Sequence, residues 1–159
     1  MSDWTAPDFL DKLETALNAR AGITGLTPKV GILTYYPSVD EPLTDAIIIG
    51  FEVSDTNEPA ALGKRRYTET VDVDCEIRVV RPGAGSTVAK AARDRCKNLL
   101  GEIDNELRTT LPDVGDQTLS AHVASRNMAQ FAYHSKSAPV RVCLIEFVIV
   151  YKARTSRSS

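Results

Sequence analysis

The stretch Val140–Ala153, V-R-V-C-L-I-E-F-V-I-V-Y-K-A, constrains this chain more than any other segment. It is rich in β-branched and aromatic residues, longer than an average strand, and apolar on both faces. At the two-residue period of a strand, Val140, Val142, Leu144, Val148 and Val150 line one face. Cys143, Ile145, Phe147, Ile149 and Tyr151 line the other. A chain of 159 residues has room for two helices over one face of the sheet this strand joins. The second face needs a different cover, and another copy of the chain is the simplest one. The expectation is an assembly component rather than a self-contained enzyme.

The remaining segments supply the rest of that sheet. Thr5 can cap a first helix, with Pro7 in its first turn and Asp8 three residues on. Ala6, Phe9, Leu10, Leu13, Ala16 and Leu17 give that helix one apolar face, and Gly22 is a candidate stop. Lys29–Tyr36 and Asp45–Val53 read as strands, and a turn-former-rich loop is expected over Ser54–Gly63. Tyr67–Arg81 then alternates: Tyr67, Val71, Val73, Cys75, Ile77 and Val79 against Thr68, Thr70, Asp72, Asp74, Glu76 and Arg78. Pro82-Gly83 ends it. Ser86 or Thr87 is the expected cap of a long helix to about Thr110, striped by Val88, Ala92, Cys96, Leu99, Leu100, Ile103 and Leu107. A weaker extended segment, about Leu119 to His134, leads into the closing strand. Arg154–Ser159 is a small polar tail expected to be disordered.

These elements predict an α+β fold: one mixed, mainly antiparallel sheet of about five strands, in the order α-β-β-β-α-β-β. Two helices pack on one face, within a single domain spanning residues 1–153. With 43% apolar and 25% charged residues the chain can build a core, and a net charge of −2 argues against a nucleic-acid-coating protein. There is no apolar run long enough to span a membrane and no signal-peptide pattern at Met1–Thr5, so the chain is expected to stay where it is made. Cys75, Cys96 and Cys143 are odd in number and fall at core positions, which points to a reducing compartment and away from a disulfide framework.

No constellation carries catalysis. His122 and His134 share parity in one extended segment but lie about 40 Å apart if it is fully extended, too far to share a metal. Asp72, Asp74 and Glu76 place three carboxylates on one strand face. An Mg²⁺ nuclease could use them, but alternate residues are about 7 Å apart, so one ion cannot take all three. Pro82-Gly83-Ala84-Gly85-Ser86 enters a helix N-terminus without a phosphate-loop signature. No cofactor, metal or catalytic residue is expected.

Charge layout says more. From Val30 to Gly63 there are six acids, Asp40, Glu41, Asp45, Glu52, Asp55 and Glu58, and no Lys or Arg; Lys64-Arg65-Arg66 follow at once. The long helix carries Lys90, Arg93, Arg95 and Lys97 early and Glu102, Asp104 and Glu106 late, against the helix dipole. This order suggests that Arg93 and Arg95 of one protomer meet Glu102, Asp104 and Glu106 of another, although a solvated mixed-charge face is the alternative. The loop Ser54–Arg66, with the Ala60-Ala61-Leu62-Gly63 patch beside Lys64, Arg65 and Arg66, is a candidate docking element; Leu62 tucked onto its own core is the alternative.

Together these features resemble a known family. The chain has a first helix ending L-N-A-R-A-G-I-T-G, a Pro-broken strand pair, A-A-L-G-K-R-R-Y-T-E-T-V-D-V and R-P-G-A-G. A helix with A-A-R-D-R-C-K-N-L-L-G-E-I-D-N-E-L-R and a long strand ending in an Ala-Arg pair follow. Over nearly its whole length the pattern resembles the tail terminator (tail completion) proteins of long-tailed actinobacterial phages. The resemblance implies a structural virion protein assembled in the host cytoplasm: a homo-oligomeric ring, a hexamer, at the head-proximal end of the tail. Its partners would be the major tail tube protein, whose polymerisation it ends, and a head-completion or neck protein. Genomic DNA would pass through the lumen without specific binding, and no membrane is involved. A negative lumen would let DNA slide; Asp72, Asp74 and Glu76, or Asp40 and Glu41 with the rest of their block, are the candidate acids. Another neck component, a head-completion stopper or a tube protein, is the runner-up; the Mg²⁺ nuclease is a more distant one.

Overall fold

The computed structural model describes residues 4–37, 45–59, 66–110, 112–135 and 138–156. Among the described residues three helices, α1 (Ala6–Asn18), α2 (Ala21–Thr24) and α3 (Ser86–Thr109), accompany five strands. The strands are β1 (Gly31–Leu33), β2 (Ala46–Pro59), β3 (Arg66–Pro82), β4 (Gln117–Ser135) and β5 (Ala138–Ser156). They form one sheet in the order β1-β2-β3-β5-β4. All pairings are antiparallel except β1 with β2. The fold is the expected α+β one: two hairpins, β2–β3 and β4–β5, joined along β3 and β5, with the helices on one face.

The core lies between that face and the helices. Val71, Val73, Cys75, Ile77 and Val79 of β3 and Cys143, Ile145, Phe147, Ile149 and Tyr151 of β5 are buried there. Phe9, Leu13 and Leu17 of α1 and Ala92, Cys96, Leu99, Ile103 and Leu107 of α3 cover them. Phe9 stacks on Tyr151 with ring centroids 3.9 Å apart. Burying side chains of this size stabilises by about 1.5–3 kcal/mol each. The Cys96 thiol donates to the Cys143 carbonyl across the layer, and all three cysteines are reduced and buried.

Several local expectations are corrected. Thr5 precedes α1, but its side chain makes no cap; its hydroxyl lies 2.8 Å from both Glu69 Oε2 and the Tyr151 hydroxyl. The Glu69 carboxylate on β3 takes the Thr5 amide instead, so an acid from a neighbouring strand sits at the positive end of the helix. α1 ends at Asn18, before Gly22, which falls inside α2. Gly85, at φ 99°, precedes α3, so neither Ser86 nor Thr87 occupies the cap position. Ser54–Pro59 continue β2 rather than forming a loop, because each pairs with a residue of Tyr67–Asp72. β5 likewise runs on to Ser156, since Arg154–Ser156 pair with Arg66–Thr68.

Candidate functional site

The opposite face of the sheet has no helix on it among the described residues, and its side chains carry the functional reading. On β5, Leu144, Val148 and Val150 are half-buried there, while Val140 and Val142 are buried within the chain. Between Leu144 and Val148, Glu146 is exposed. On β3 the same face carries Asp72, Asp74, Glu76 and Arg78, directly opposite Val150, Val148, Glu146 and Leu144. β2 reaches it through an irregularity. Ile49 pairs with Cys75 and Glu52 with Asp74, so Gly50 and Phe51 are extra. Gly50 adopts φ 73°, a left-handed conformation that glycine takes without strain. The bulge brings Glu52 beside Asp74.

Glu52, Asp72, Asp74 and Glu146 therefore cluster on this face, which Glu58 and Glu76 share by register. The Asp74 pKa is pushed up, first by partial burial and then by the charges of Glu52, Asp72 and Glu146. An open trough of about 390 Å³ runs across the strands here, lined by Phe51, Asp74, Ser125, Asn127, Glu146 and Val148 among others. Asp72 and Asp74 stand on the exposed sheet face, where strand alternation puts them. Glu76 does not present its charge as expected. It is buried, and Arg78 Nη2 donates to its Oε2 at 2.9 Å. Arg78 also donates to the Tyr36 hydroxyl at 3.2 Å, and Tyr36 meets Phe51 edge to face. Asp40, Glu41 and the loop residues Ala60, Ala61, Leu62, Gly63, Lys64 and Arg65 lie outside the described residues; Arg66 opens β3 and is exposed.

In the sequence Glu52 is only one acid of a block, and Glu146 belongs to no acidic pattern. The signal for Glu146 was its parity: it is the one charged residue among Val142, Leu144, Val148 and Val150. Glu52 could be placed only with knowledge of the bulge.

The helix charges are partly spent within the chain. Glu102 and Glu106 receive Arg20 Nε and Nη1 at 2.6 and 2.8 Å, tying the α1–α2 junction to α3. Asp104 pairs with Arg108 one turn on. Arg95 faces inward: its Nε is 3.3 Å from Asp45 Oδ2, and its Nη2 donates to the Pro28 carbonyl. Asp45 is itself buried and takes both Arg81 Nη atoms at 2.6 and 2.9 Å. Arg93 remains exposed with Lys90, beside Gln130 of β4. Among the described residues no three His, Cys, Asp or Glu side chains converge on a point where a metal ion would be held. No helix there is long and apolar enough to cross a membrane.

No family model matches this sequence, and no curated protein matches it. A solved structure does. The chain is similar in fold to a chain of the virion of native gene transfer agent (GTA) particle, with a TM-score of 0.57 at 14% identity. The match covers 94% of this chain and 99% of the other. At that identity the likeness is one of fold.

Proposed function

We propose that this chain is a structural virion protein whose copies form a ring closing the head-proximal end of a phage tail tube. The ring ends tube polymerisation, joins tail to neck and lets DNA through. The carrying observation is the one-sided sheet, whose uncovered face holds Glu52, Asp72, Asp74 and Glu146. Turned toward a lumen, these acids repel phosphates, so DNA slides past without sticking. Two further supports are the fold shared with a chain of a gene transfer agent virion and the family resemblance of the sequence. In this reading the partners are further copies of the chain, six to a ring, with the tube protein on one side and a neck protein on the other.

Deleting the gene and measuring tail lengths by electron microscopy tests this. The expected result is overlong tubes beside filled heads without tails. Unattached tails of normal length would instead indicate a head-completion stopper, and intact virions would overturn the structural assignment.

A further inference from the structure

The two outer edges of the sheet carry an inference about how copies meet. It rests on the ring reading above. β4 is the last strand, and among the described residues no strand pairs with its outer edge, although near its start the Thr118 amide donates to Asp113 Oδ1. At the other end β1 covers only Ala46–Ile48 of β2. From Gly50 to Pro59 the outer edge of β2 is likewise unpaired among the described residues.

Soluble proteins usually guard such edges with prolines, inward charges, lysines or bulges. β4 has no proline, lysine or acid in its nineteen residues. Its bulges, at Leu119 and Ala124, leave Ser125–Ser135 regular. Ala124–Ala132 are all exposed, Met128 at 41%. An edge this long and this plain is built to receive a strand.

Charge selects which strand. β2 carries Glu52, Asp55 and Glu58 with no basic residue. β4 carries Arg126 and His122 with no acid, and the exposed Lys90 and Arg93 of α3 flank it at Gln130. Pairing β2 with β2 would set acids against acids, whereas β2 against β4 brings Asp55 and Arg126, both on the helix side by register, to one junction. Direction agrees. Successive antiparallel pairings β2–β3, β3–β5 and β5–β4 make β2 and β4 run in opposite senses. Rotating a copy about an axis roughly along the strands keeps those senses, so β4 of one copy meets β2 of the next antiparallel. A contact between two different edges closes a ring when the rotation closes, whereas a β4–β4 contact would stop at a dimer.

We infer that the outer edge of β4 in one copy pairs antiparallel with the Gly50–Pro59 edge of β2 in the next, continuing one sheet around the ring. The uncovered face then continues across each junction, with the acids of β2, β3 and β5 recurring once per copy.

Paired cysteines test it. Glu52, Ser54 and Thr56 on β2 and Ser125, Asn127 and Ala129 on β4 are all exposed, and by register they lie on the uncovered face. Each of the nine combinations of one β2 and one β4 residue changed to Cys would be oxidised at high protein concentration and run on a denaturing gel. The native cysteines are buried and serve as an internal blank. The expected result is a ladder of covalent multimers for one register, with single variants staying monomeric. Self-cross-linking of the Ser125→Cys or Asn127→Cys single variant would overturn the proposal in favour of a β4–β4 dimer. Failure of all nine would also overturn it, and native mass spectrometry of the unmodified chain then separates the two readings. Oligomers without cross-links sink the edge pairing alone; a monomer at every concentration sinks the ring as well.

Discussion

Asp45 shows how much one residue can hold. It sits just before β2, 2% exposed, with Arg81 and Arg95 on its two oxygens and the Val80 amide 3.3 Å from Oδ1. It ties the start of β2 to the end of β3 and to α3. Removing the acid leaves two guanidinium groups facing a dry site, so Asp45→Ala should lose about 3–5 kcal/mol. Chemical denaturation would read this as a fall in midpoint with unchanged slope. None of this was legible beforehand. In one dimension Asp45 is one more acid in an acidic block, and its partners lie 36 and 50 residues away, with no local signal linking them. Glu69 is the same lesson from the other side. A carboxylate on the core face of β3 looks out of pattern until α1 arrives with its free amide. Burial pushes the Glu69 pKa up, and its bonds from Thr5 pull the other way.

At the level of elements, the glycines separate fold-making positions from idle ones. A Cβ at Gly50 would lie 2.6 Å from Leu10 Cδ2 on α1, at a backbone φ of +73°. Gly50→Ala should therefore destabilise by about 1–3 kcal/mol through the left-handed backbone alone. Gly101, inside α3, has open space at its Cβ position, and Gly101→Ala should stabilise by about 0.5–1 kcal/mol. Thermal unfolding of the two variants side by side checks both signs. Strands and helices were readable where period and burial coincide: β3 from its strict alternation, α3 from its stripe, and the two hairpins from their order. Boundaries were not. Ser54–Pro59 has the composition of a turn, yet Tyr67–Asp72 across the hairpin supply backbone partners, and pairing overrides propensity. The expected sharing of one face by His122 and His134 assumed unbroken alternation, which the Ala124 bulge interrupts.

On the scale of the whole molecule, the sheet has a dry side and a charged side, and on the charged side the Asp74 carboxyl resists ionisation. A carboxyl whose pKa is higher in the folded chain than in the unfolded one favours folding while protonated. That contribution is full below the ordinary carboxylate range and is lost as pH rises through the folded-state pKa. Asp74 has this sign, first through its partial burial and then through the charges of Glu52 from β2, Asp72 from its own strand and Glu146 from β5. Asp74→Asn should thus raise the melting temperature at pH 7 and leave it nearly unchanged below the carboxylate range; melting curves at both pH values check it. The same acids have a consequence for how the chain finds its native pairing. β3 and β5 meet along 17 residue pairs with α3 and β4 between them in sequence, so neither turn geometry nor proximity fixes their alignment. A slip of one residue would drive Asp72 and Asp74 into the layer beneath the helices, where a bare carboxylate is intolerable. The repulsion tolerated on the open face is also a proofreading device: charges that weaken the finished sheet forbid the misaligned one.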